Sequence, residues 1–371
     1  MTPEELRSDV PALEQCTYLN TGASGPSPRR VLETAVETQR AHEYAEHHEP
    51  GPYAAAGETL DAARDRIAAF LGVSEGELAL TESTTDGINR VATAIGFEPG
   101  DVVVRTDLEH PAGILPWERL EAHAGVEVRV VETDDGRIDR EAYAEAVSGA
   151  RLVCFSALTW THGTMLPVGD LVEIARDAGA FTLVDGVQVP GQRALSLPEW
   201  GADAVAGAGH KWLLSPFGSG FLYVREGAIG DLVPASVGFK SVRDPYGSYD
   251  LAPDASRFEV GTTNVGAHAA LAEATAVLEA IGMGTVETRI ERLTDTLKER
   301  VPEGRLLSPR AFESGLVTVG VDDPEGAVER LDERGVVVRT VPGVTGIRVS
   351  LHVFNDEEDV DTLCAALADE W

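Results

Sequence analysis

FTLVDGVQ at residues 181–188, followed by AGAGHKW at residues 206–212, is the stretch that decides the fold of this chain. Its first part is a short apolar run, Phe181 to Val184, that ends in Asp185 and a glycine. Such a run between turn signals predicts a buried strand of a parallel sheet. Open α/β sheets bind their ligands at the carboxyl ends of such strands. Asp185 is therefore predicted to lie at a ligand site, with Lys211 twenty-six residues further on.

Lys211 is one of only three lysines in the chain, against 27 arginines. A guanidinium group stays charged in proteins, so arginine cannot serve where an amine must lose its proton. A lysine kept in this glycine-flanked segment, beside His210, predicts a Schiff base with pyridoxal phosphate. Asp185 would then keep the pyridine nitrogen protonated. The alternative is a turn aspartate that caps the next helix.

Short apolar runs and amphipathic stretches alternate on both sides of this segment. The predicted strands are residues 102–104, 126–131, 152–155, 181–184 and 218–224. For the strand at 218–224, an antiparallel orientation is an alternative to a parallel one. Amphipathic stretches at 117–124 and 168–178 predict helices between the strands, and this alternation indicates a mostly parallel sheet covered on both faces.

After residue 264 the pattern changes. Helices are predicted at 267–278, 286–300 and 357–367, with strands at 316–321, 336–340 and 347–351. We therefore expect an N-terminal arm (1–19) that packs on the small domain, a large domain (20–264) and a small C-terminal α+β domain (265–371).

The composition narrows the class of protein. A net charge of −32 spread along the whole chain indicates a surface adapted to a high-salt cytoplasm, with an acidic interaction surface as the alternative. No basic face is visible for nucleic acid, and no apolar stretch approaches the roughly 18 residues of a membrane span. The three cysteines lack metal-ligand spacing and suit a reducing compartment. We expect a cytoplasmic protein with no metal site.

Three further places carry candidate site residues. Ser83, Thr84 and Thr85 open a predicted helix, where hydroxyls, backbone N–H groups and the helix dipole suit a phosphate; an ordinary N-cap is the alternative. His110, after a strand, could stack on a flat cofactor or be a surface residue. Arg348, among apolar neighbours of a strand, suits a substrate carboxylate, with a structural ion pair as the alternative.

These segments together resemble the class V aminotransferase and cysteine desulfurase family of fold-type I pyridoxal phosphate enzymes. The resemblance extends from YLNTG (18–22) to the C-terminal helix. Its most specific parts are LVDGVQ (183–188), GAGHK (207–211), RFEVGT (257–262) and RVS (348–350). It implies an α/β fold with a mostly parallel, seven-stranded-type sheet in the large domain, pyridoxal 5'-phosphate as cofactor and an amino acid as substrate.

The resemblance also implies a role for each candidate. Lys211 would form the Schiff base, Asp185 would pair with the pyridine nitrogen, and Gln188 would bond the phenolic oxygen. His110 would stack on the ring. The phosphate would be bound by Thr84, Thr85 and His210, with Thr262 reaching it from the partner subunit of a homodimer with shared active sites. Arg348 would bind the substrate α-carboxylate, with Asn20 as a further substrate-binding residue.

Three departures from the family pattern bear on the reaction. Ala208 stands where the family often has a serine, and Trp160 where desulfurases commonly have an asparagine. The segment 339–347, before Arg348, contains no cysteine, whereas desulfurases carry a persulfide-forming cysteine there. We therefore expect a transaminase or a cysteine or selenocysteine lyase-like enzyme. The alternatives are a desulfurase with an external thiol acceptor and a non-catalytic cofactor-binding scaffold. No Gly-x-Gly-x-x-Gly follows the first strand, which disfavours a nicotinamide dehydrogenase.

Overall fold

The structure, a computed structural model, describes residues 1–49, 51–368 and 370. The strands in that part of the chain are β1 (Thr17–Tyr18), β2 (Leu78–Thr81), β3 (Val102–Thr106), β4 (Glu127–Val131), β5 (Thr133–Asp134), β6 (Arg137–Ile138), β7 (Leu152–Ser156), β8 (Phe181–Asp185), β9 (Ala204–Ala208), β10 (Gly220–Val224), β11 (Leu316–Gly320), β12 (Val336–Val337), β13 (Arg339–Val341) and β14 (Val344–Ser350). The helices are α1 (Pro3–Ser8), α2 (Arg29–Tyr44), α3 (Pro52–Leu71), α4 (Thr84–Ala94), α5 (Leu115–Ala124), α6 (Arg140–Ala146), α7 (Val168–Asp177), α8 (Leu197–Trp200), α9 (Val265–Ile281), α10 (Met283–Arg300), α11 (Pro324–Glu333) and α12 (Glu357–Leu367).

Seven strands form the main sheet, in the order β2-β10-β9-β8-β7-β3-β4. The strands β9, β8, β7, β3 and β4 pair in parallel, whereas β10 is antiparallel to both of its neighbours. The predicted fold class, a mostly parallel seven-stranded sheet in an α/β protein, is confirmed. The chain reverses between β9 and β10, and this reversal carries Lys211.

Helices cover both faces of this sheet, which explains the continuous apolar strands. Along β8, Leu183 belongs to one hydrophobic core and Val184 to the other, because successive side chains point to opposite faces. The prediction of a buried strand at 126–131 was wrong in one respect. β4 lies at the edge of the sheet, and only its Val131 is buried.

A second sheet of three antiparallel strands, in the order β11-β14-β13, lies in the C-terminal part of the chain. The predicted strand 336–340 is in fact two: β12 pairs with β1 near the N-terminus, and β13 pairs with β14. At the N-terminal arm, Arg7 forms ion pairs with Asp356 and Asp359 at α12, whereas α9 packs on α2 and α3. The three predicted domain ranges stay a prediction.

Among the described helices, none by itself is both long enough and apolar enough to cross a membrane. α9 and α10 pass that test only when taken together, and the pair is bent by 77° at the break between them.

Candidate active site

A cavity of about 360 Å³ opens at the carboxyl ends of β3, β8 and β9. Nine of the eleven predicted site residues line it: Ser83, Thr84, Thr85, His110, Asp185, Gln188, His210, Lys211 and Arg348. Asn20 does not line it but pairs with Ser350, two residues beyond Arg348. Thr262 lines a different cavity, beside Phe239 and Lys240. Distant parts of the chain thus meet where open α/β sheets bind ligands.

The reversal that carries Lys211 is held rigidly by the next residue. The indole N–H of Trp212 donates a hydrogen bond to Gln188 Oε1 at 2.7 Å. The backbone carbonyl oxygen of Trp212 lies 2.8 Å from His352 Nε2. Leu214, in the same reversal, has φ +61°, which costs a bulky residue on the order of 1–3 kcal/mol. The surrounding packing therefore determines the backbone at Lys211.

The amine of Lys211 has no hydrogen-bond partner among the described residues, although Asp185 lies near it. Burial, together with the charges of Arg348 and Arg339, lowers the pKa of Lys211 to about 8, and only Asp185 opposes this. A pKa near 8 leaves part of the amine unprotonated close to neutral pH, which a nucleophile or a general base requires.

Asp185 ends β8 and is 4% exposed. Its Oδ1 accepts a hydrogen bond from the backbone N–H of Val187 at 3.0 Å, and no donor among the described residues reaches Oδ2. Burial raises the pKa of Asp185, against the opposing effects of the Val187 N–H and the Lys211 charge. One carboxylate oxygen therefore remains free for a basic ring nitrogen.

A second buried carboxyl group, Glu109, was missed by sequence reasoning. Thr106 Oγ1 and Ser156 Oγ each lie 2.6 Å from it, and the Ser156 N–H donates to it at 3.1 Å. Burial raises the pKa of Glu109 to about 7, with a further contribution from Asp185. The sequence signal for Glu109 was an acidic residue directly before His110. Its hydrogen-bond partners, however, lie at the ends of β3 and β7, which only the fold brings together.

His110 and Trp160 form one wall of the cavity. Their rings meet edge to face with centroids 5.5 Å apart, and the indole N–H of Trp160 donates to Leu108 O at 3.0 Å. His110 Nδ1 accepts from the Ala112 N–H at 3.2 Å, so Nε2 carries the proton of the neutral ring. Burial and the charges of Lys211 and Arg339 lower the pKa of His110 to about 4. A neutral aromatic ring is thus available for stacking.

The N-terminus of α4 forms another wall. Ser83 caps the helix by accepting a hydrogen bond from the Asp86 N–H at 3.1 Å, so the N-cap alternative is also correct for this residue. Thr84 Oγ1 is buried without a partner among the described residues. His210, stacked on Phe217 at 4.7 Å, has its pKa lowered to about 4 by burial and by Lys211. A helix N-terminus with an unpaired hydroxyl is suited to an anion.

Arg348 is 1% exposed and lies on β14. Its Nη1 donates to Trp160 O at 2.8 Å, whereas Nε and Nη2 are buried without partners among the described residues. Burial is the largest cause that lowers the pKa of Arg348 to about 9, and the positive charge of Arg339 is the second. The guanidinium is still a cation at neutral pH. Two unpaired donors on one guanidinium fit a carboxylate better than the structural ion pair considered above.

No cysteine lines this cavity in the part of the chain that the structure describes. Cys154 is fully buried in β7, where burial raises the pKa of its thiol; Cys16 and Cys364 lie elsewhere, and burial raises their thiol pKa values as well. Val341 pairs with Val344, so only Pro342 and Gly343 join β13 to β14. Gly343, with φ +78°, makes this tight turn possible, and the turn leaves no mobile loop before Arg348.

The chain belongs to the aminotransferase class-V family, which matches residues 17–363. A probable cysteine desulfurase of Methanothermobacter thermautotrophicus is 31% identical over 98% of this chain and 96% of its own length. The apo cysteine desulfurase of Thermococcus onnurineus NA1 is similar at a TM-score of 0.90 and 29% identity, over 100% of this chain and 98% of that one. The cystine C–S lyase C-DES, solved with its reaction product cysteine persulfide, has a TM-score of 0.91 at 26% identity, over 97% of this chain and 99% of that one.

These similarities confirm the predicted family, the fold-type I architecture and the class of pyridoxal 5'-phosphate enzyme acting on an α-amino acid. The cavity fits that cofactor on its own geometry. In the described part of the chain, Thr84 Oγ1 is buried without a partner and could bond the phosphate of the cofactor, and Asp185 Oδ2 is free to pair with its ring nitrogen. The Lys211 amine has no hydrogen-bond partner there and could react with the aldehyde carbonyl of the cofactor. Gln188 Oε1 accepts from the Trp212 indole, and Gln188 Nε2 donates one hydrogen to Gly22 O at 3.0 Å, so the second Nε2 hydrogen would be the one to bond the phenolic oxygen.

Proposed function

We propose that this enzyme cleaves the Cβ–S bond of a sulfur-containing α-amino acid by elimination, without forming a persulfide on the protein. The observation that carries the proposal is the two-residue turn of Pro342 and Gly343 before Arg348, together with a cavity that no cysteine of the described chain lines. A desulfurase needs a thiolate that can reach the substrate sulfur. Elimination needs none, because the sulfur leaves with its own bonding electrons.

The cavity residues divide the work of this reaction. Arg348 binds the α-carboxylate through Nε and Nη2, and the Lys211 amine takes the proton from Cα. The cofactor, when bound, would supply a protonated pyridine ring as the electron sink for this reaction, with Asp185 keeping the ring nitrogen protonated. His110 would hold that ring by stacking. The sulfur leaves Cβ with its bonding pair and takes up a proton, and water then releases pyruvate and ammonia from the three-carbon fragment.

The similarity to the cystine C–S lyase, at 26% identity over nearly both whole chains, supports this choice among the predicted reactions. Cleavage of cystine in this way is balanced: cystine and water give pyruvate, ammonia and cysteine persulfide. The desulfurase relatives keep a second candidate open, a desulfurase whose sulfur acceptor is an external thiol. A transaminase is the third, and its product would be a keto acid that retains the substrate side chain.

A homodimer with shared active sites, in a reducing, high-salt cytoplasm, is part of the proposal. Thr262 lies outside its own chain's candidate site, in a second cavity lined also by Tyr53 and Phe239, whose side chains are 75% and 49% exposed. Large exposed apolar side chains around a predicted phosphate ligand support a contact with a partner subunit. Sedimentation is expected to give the mass of two 39.4 kDa chains, and a fully active monomer would contradict this.

The first prediction tests the reaction. Replacing Cys16, Cys154 and Cys364 together by serine is expected to leave turnover within about twofold of wild type, because none of them lines the cavity. The assay measures pyruvate, ammonia, sulfide or persulfide, and side-chain keto acid separately, with and without an added thiol. The single variants serve as controls for damage to the buried Cys154 site.

Each outcome separates the candidates. Pyruvate formed in step with a sulfur product supports elimination, alanine formed only with added thiol supports a desulfurase, and a side-chain keto acid supports transamination. Loss of turnover in one cysteine variant, with the cofactor still bound and the fold intact, would contradict the proposal and restore a protein persulfide.

A further inference from the structure

Two arginines on neighbouring strands lie beside the same cavity. Arg339 of β13 is the direct cross-strand partner of Arg348 of β14, and both line the cavity. Like charges directly opposite each other destabilise a sheet. The chain has 62 acidic residues against 30 lysines and arginines, yet neither arginine forms an ion pair with a carboxylate among the described residues. The resting protein therefore leaves two positive charges unneutralised at one place.

Arg348 by itself provides a complete carboxylate site. Its buried Nε and Nη2 are the two donors of a bidentate pair, and neither has a partner among the described residues. One α-carboxylate satisfies both donors. Arg339 is therefore not needed for that group, although its charge adds to the field around it.

Arg339 lies in a different setting, half-buried in the cavity wall. Its guanidinium carbon lies 6.0 Å from the centre of the Trp160 ring, and its Nε donates to Thr340 O at 3.0 Å. These contacts orient the group but leave both terminal nitrogens without a partner among the described residues. The short turn that follows, whose Pro342 also lines the cavity, does not supply one. A planar, oriented cation with free donors is suited to a second anionic group.

We propose that Arg339 determines substrate specificity by binding a second anionic group, carried at the far end of the substrate side chain. The substrate class is then an α-amino acid with a distal carboxylate. A disulfide-linked pair of cysteines, whose second half carries its own carboxylate, and a dicarboxylic amino acid both meet this description. The inference deepens the proposed function and rests on it for the placement of the α-carboxylate at Arg348.

The binding experiment uses the cofactor-loaded enzyme and two probes of equal carbon number, glutarate with two carboxylates and valerate with one. Calorimetric titration at fixed ionic strength is expected to show glutarate binding at least about tenfold more tightly than valerate, because a hydrogen-bonded charge pair is worth at least that factor. Arg339→Gln is expected to abolish the difference by weakening glutarate much more than valerate, which loses only the long-range effect of the Arg339 charge. The control variant is Arg129→Gln. Arg129 is half-buried on the edge strand β4, outside the cavity, so this variant removes the same charge and is expected to keep the difference between the two probes.

Two results would overturn the inference. Equal weakening of glutarate and valerate by Arg339→Gln would mean that both arginines bind one carboxylate. Equal binding of the two probes by the wild-type enzyme would mean that no second anion site exists.

Kinetics then identify the source of the distal group. KM for cystine, glutamate and cysteine is compared in wild type and Arg339→Gln, and KM for the preferred diacid is expected to rise at least about tenfold with little change in kcat. A preference for cystine assigns the disulfide. A preference for glutamate, which has no Cβ–S bond, keeps the second anion site but contradicts the proposed elimination. A preference for cysteine over both contradicts the inference. If products other than pyruvate and sulfur species form while glutarate discrimination persists, the proposed reaction fails and the second anion site stands.

Discussion

Single residues in this cavity show how burial changes the chemistry of nitrogen groups. Burial is the largest cause that lowers the pKa of His110 and His210 to about 4 and that of Lys211 to about 8. The two histidines are therefore neutral at working pH, and the lysine is partly so. Removing water from the cavity produces rings that can stack and bond and an amine that can react, without a dedicated base beside each one.

The second prediction concerns Lys211 and uses the scarcity of lysine. In the apoprotein, the rate of Lys211 acylation is expected to rise with pH and reach half its maximum near pH 8, since only the unprotonated amine reacts. Mass spectrometry distinguishes the three lysine peptides. Lys240, 3.5 Å from Glu259, and Lys298, 2% exposed, serve as internal comparators.

Loading with pyridoxal phosphate is expected to protect Lys211 from acylation. Borohydride reduction of the loaded protein should fix the cofactor to the Lys211 peptide and no other. A fixed cofactor on the Lys240 or Lys298 peptide would show that Lys211 is not the covalent link.

At the scale of elements, the segment between β1 and α2 crosses the reversal that carries Lys211. The N–H of Gly25 donates to His210 O at 2.7 Å, and a Cβ added at Gly25 would lie 2.1 Å from Lys211 O. No side chain fits at that distance. The close approach of the crossing segment therefore fixes the position of the Lys211 backbone. The N-terminal segment thus belongs to the site through its backbone rather than through its side chains.

The third prediction tests this crossing. Gly25→Ala is expected to lower the free energy of unfolding by about 1–3 kcal/mol and to weaken cofactor binding, because the Lys211 backbone must move away. Gly169→Ala in α7, where an added Cβ meets nothing within 4 Å, is the control and is expected to be neutral or to stabilise by up to about 1 kcal/mol. Denaturant unfolding and cofactor titration measure both effects. Equal stability of the two variants would show that the segment can shift freely.

The whole molecule is dominated by its charge of −32. Carboxylates on such a surface repel one another in the compact state more than in the extended chain. Salt shortens the range of this repulsion, from about 10 Å at 0.1 M to about 3 Å at 1 M ionic strength. Stability is therefore expected to depend on salt across the whole surface rather than at one ion pair.

The fourth prediction follows from this charge. Lowering KCl from about 1 M to about 0.1 M is expected to lower Tm by several degrees, measured by circular dichroism with the cofactor bound. A variant with Glu141, Glu145 and Glu173 changed to glutamine removes three exposed carboxylates that make no ion pair among the described residues, and it is expected to show a smaller drop. A Tm that rises on dilution of the salt would contradict the salt-adapted interpretation.

Much of the fold could be predicted because its signals are local. The apolar run ending at Asp185, the antiparallel return at 220–224 and the last helix at 357–367 each depend on the order of residues within one element. Strand–helix alternation then leaves few ways to arrange a parallel sheet. The position of β4 at the sheet edge and the split of 336–340 into β12 and β13 could not be predicted, since both depend on which strand lies alongside.

The same distinction applies to the site. The sequence by itself determined that Asp185, Lys211, His110 and the start of α4 lie at strand ends or at a helix N-terminus, because those positions follow from local periodicity. Only the tertiary structure placed Glu109 between Thr106 and Ser156, set Arg339 opposite Arg348 and passed Gly25 over Lys211. Burial, unpaired donors and like-charge pairs are properties of groups that are distant in sequence, and they exist only once the fold has brought those groups together.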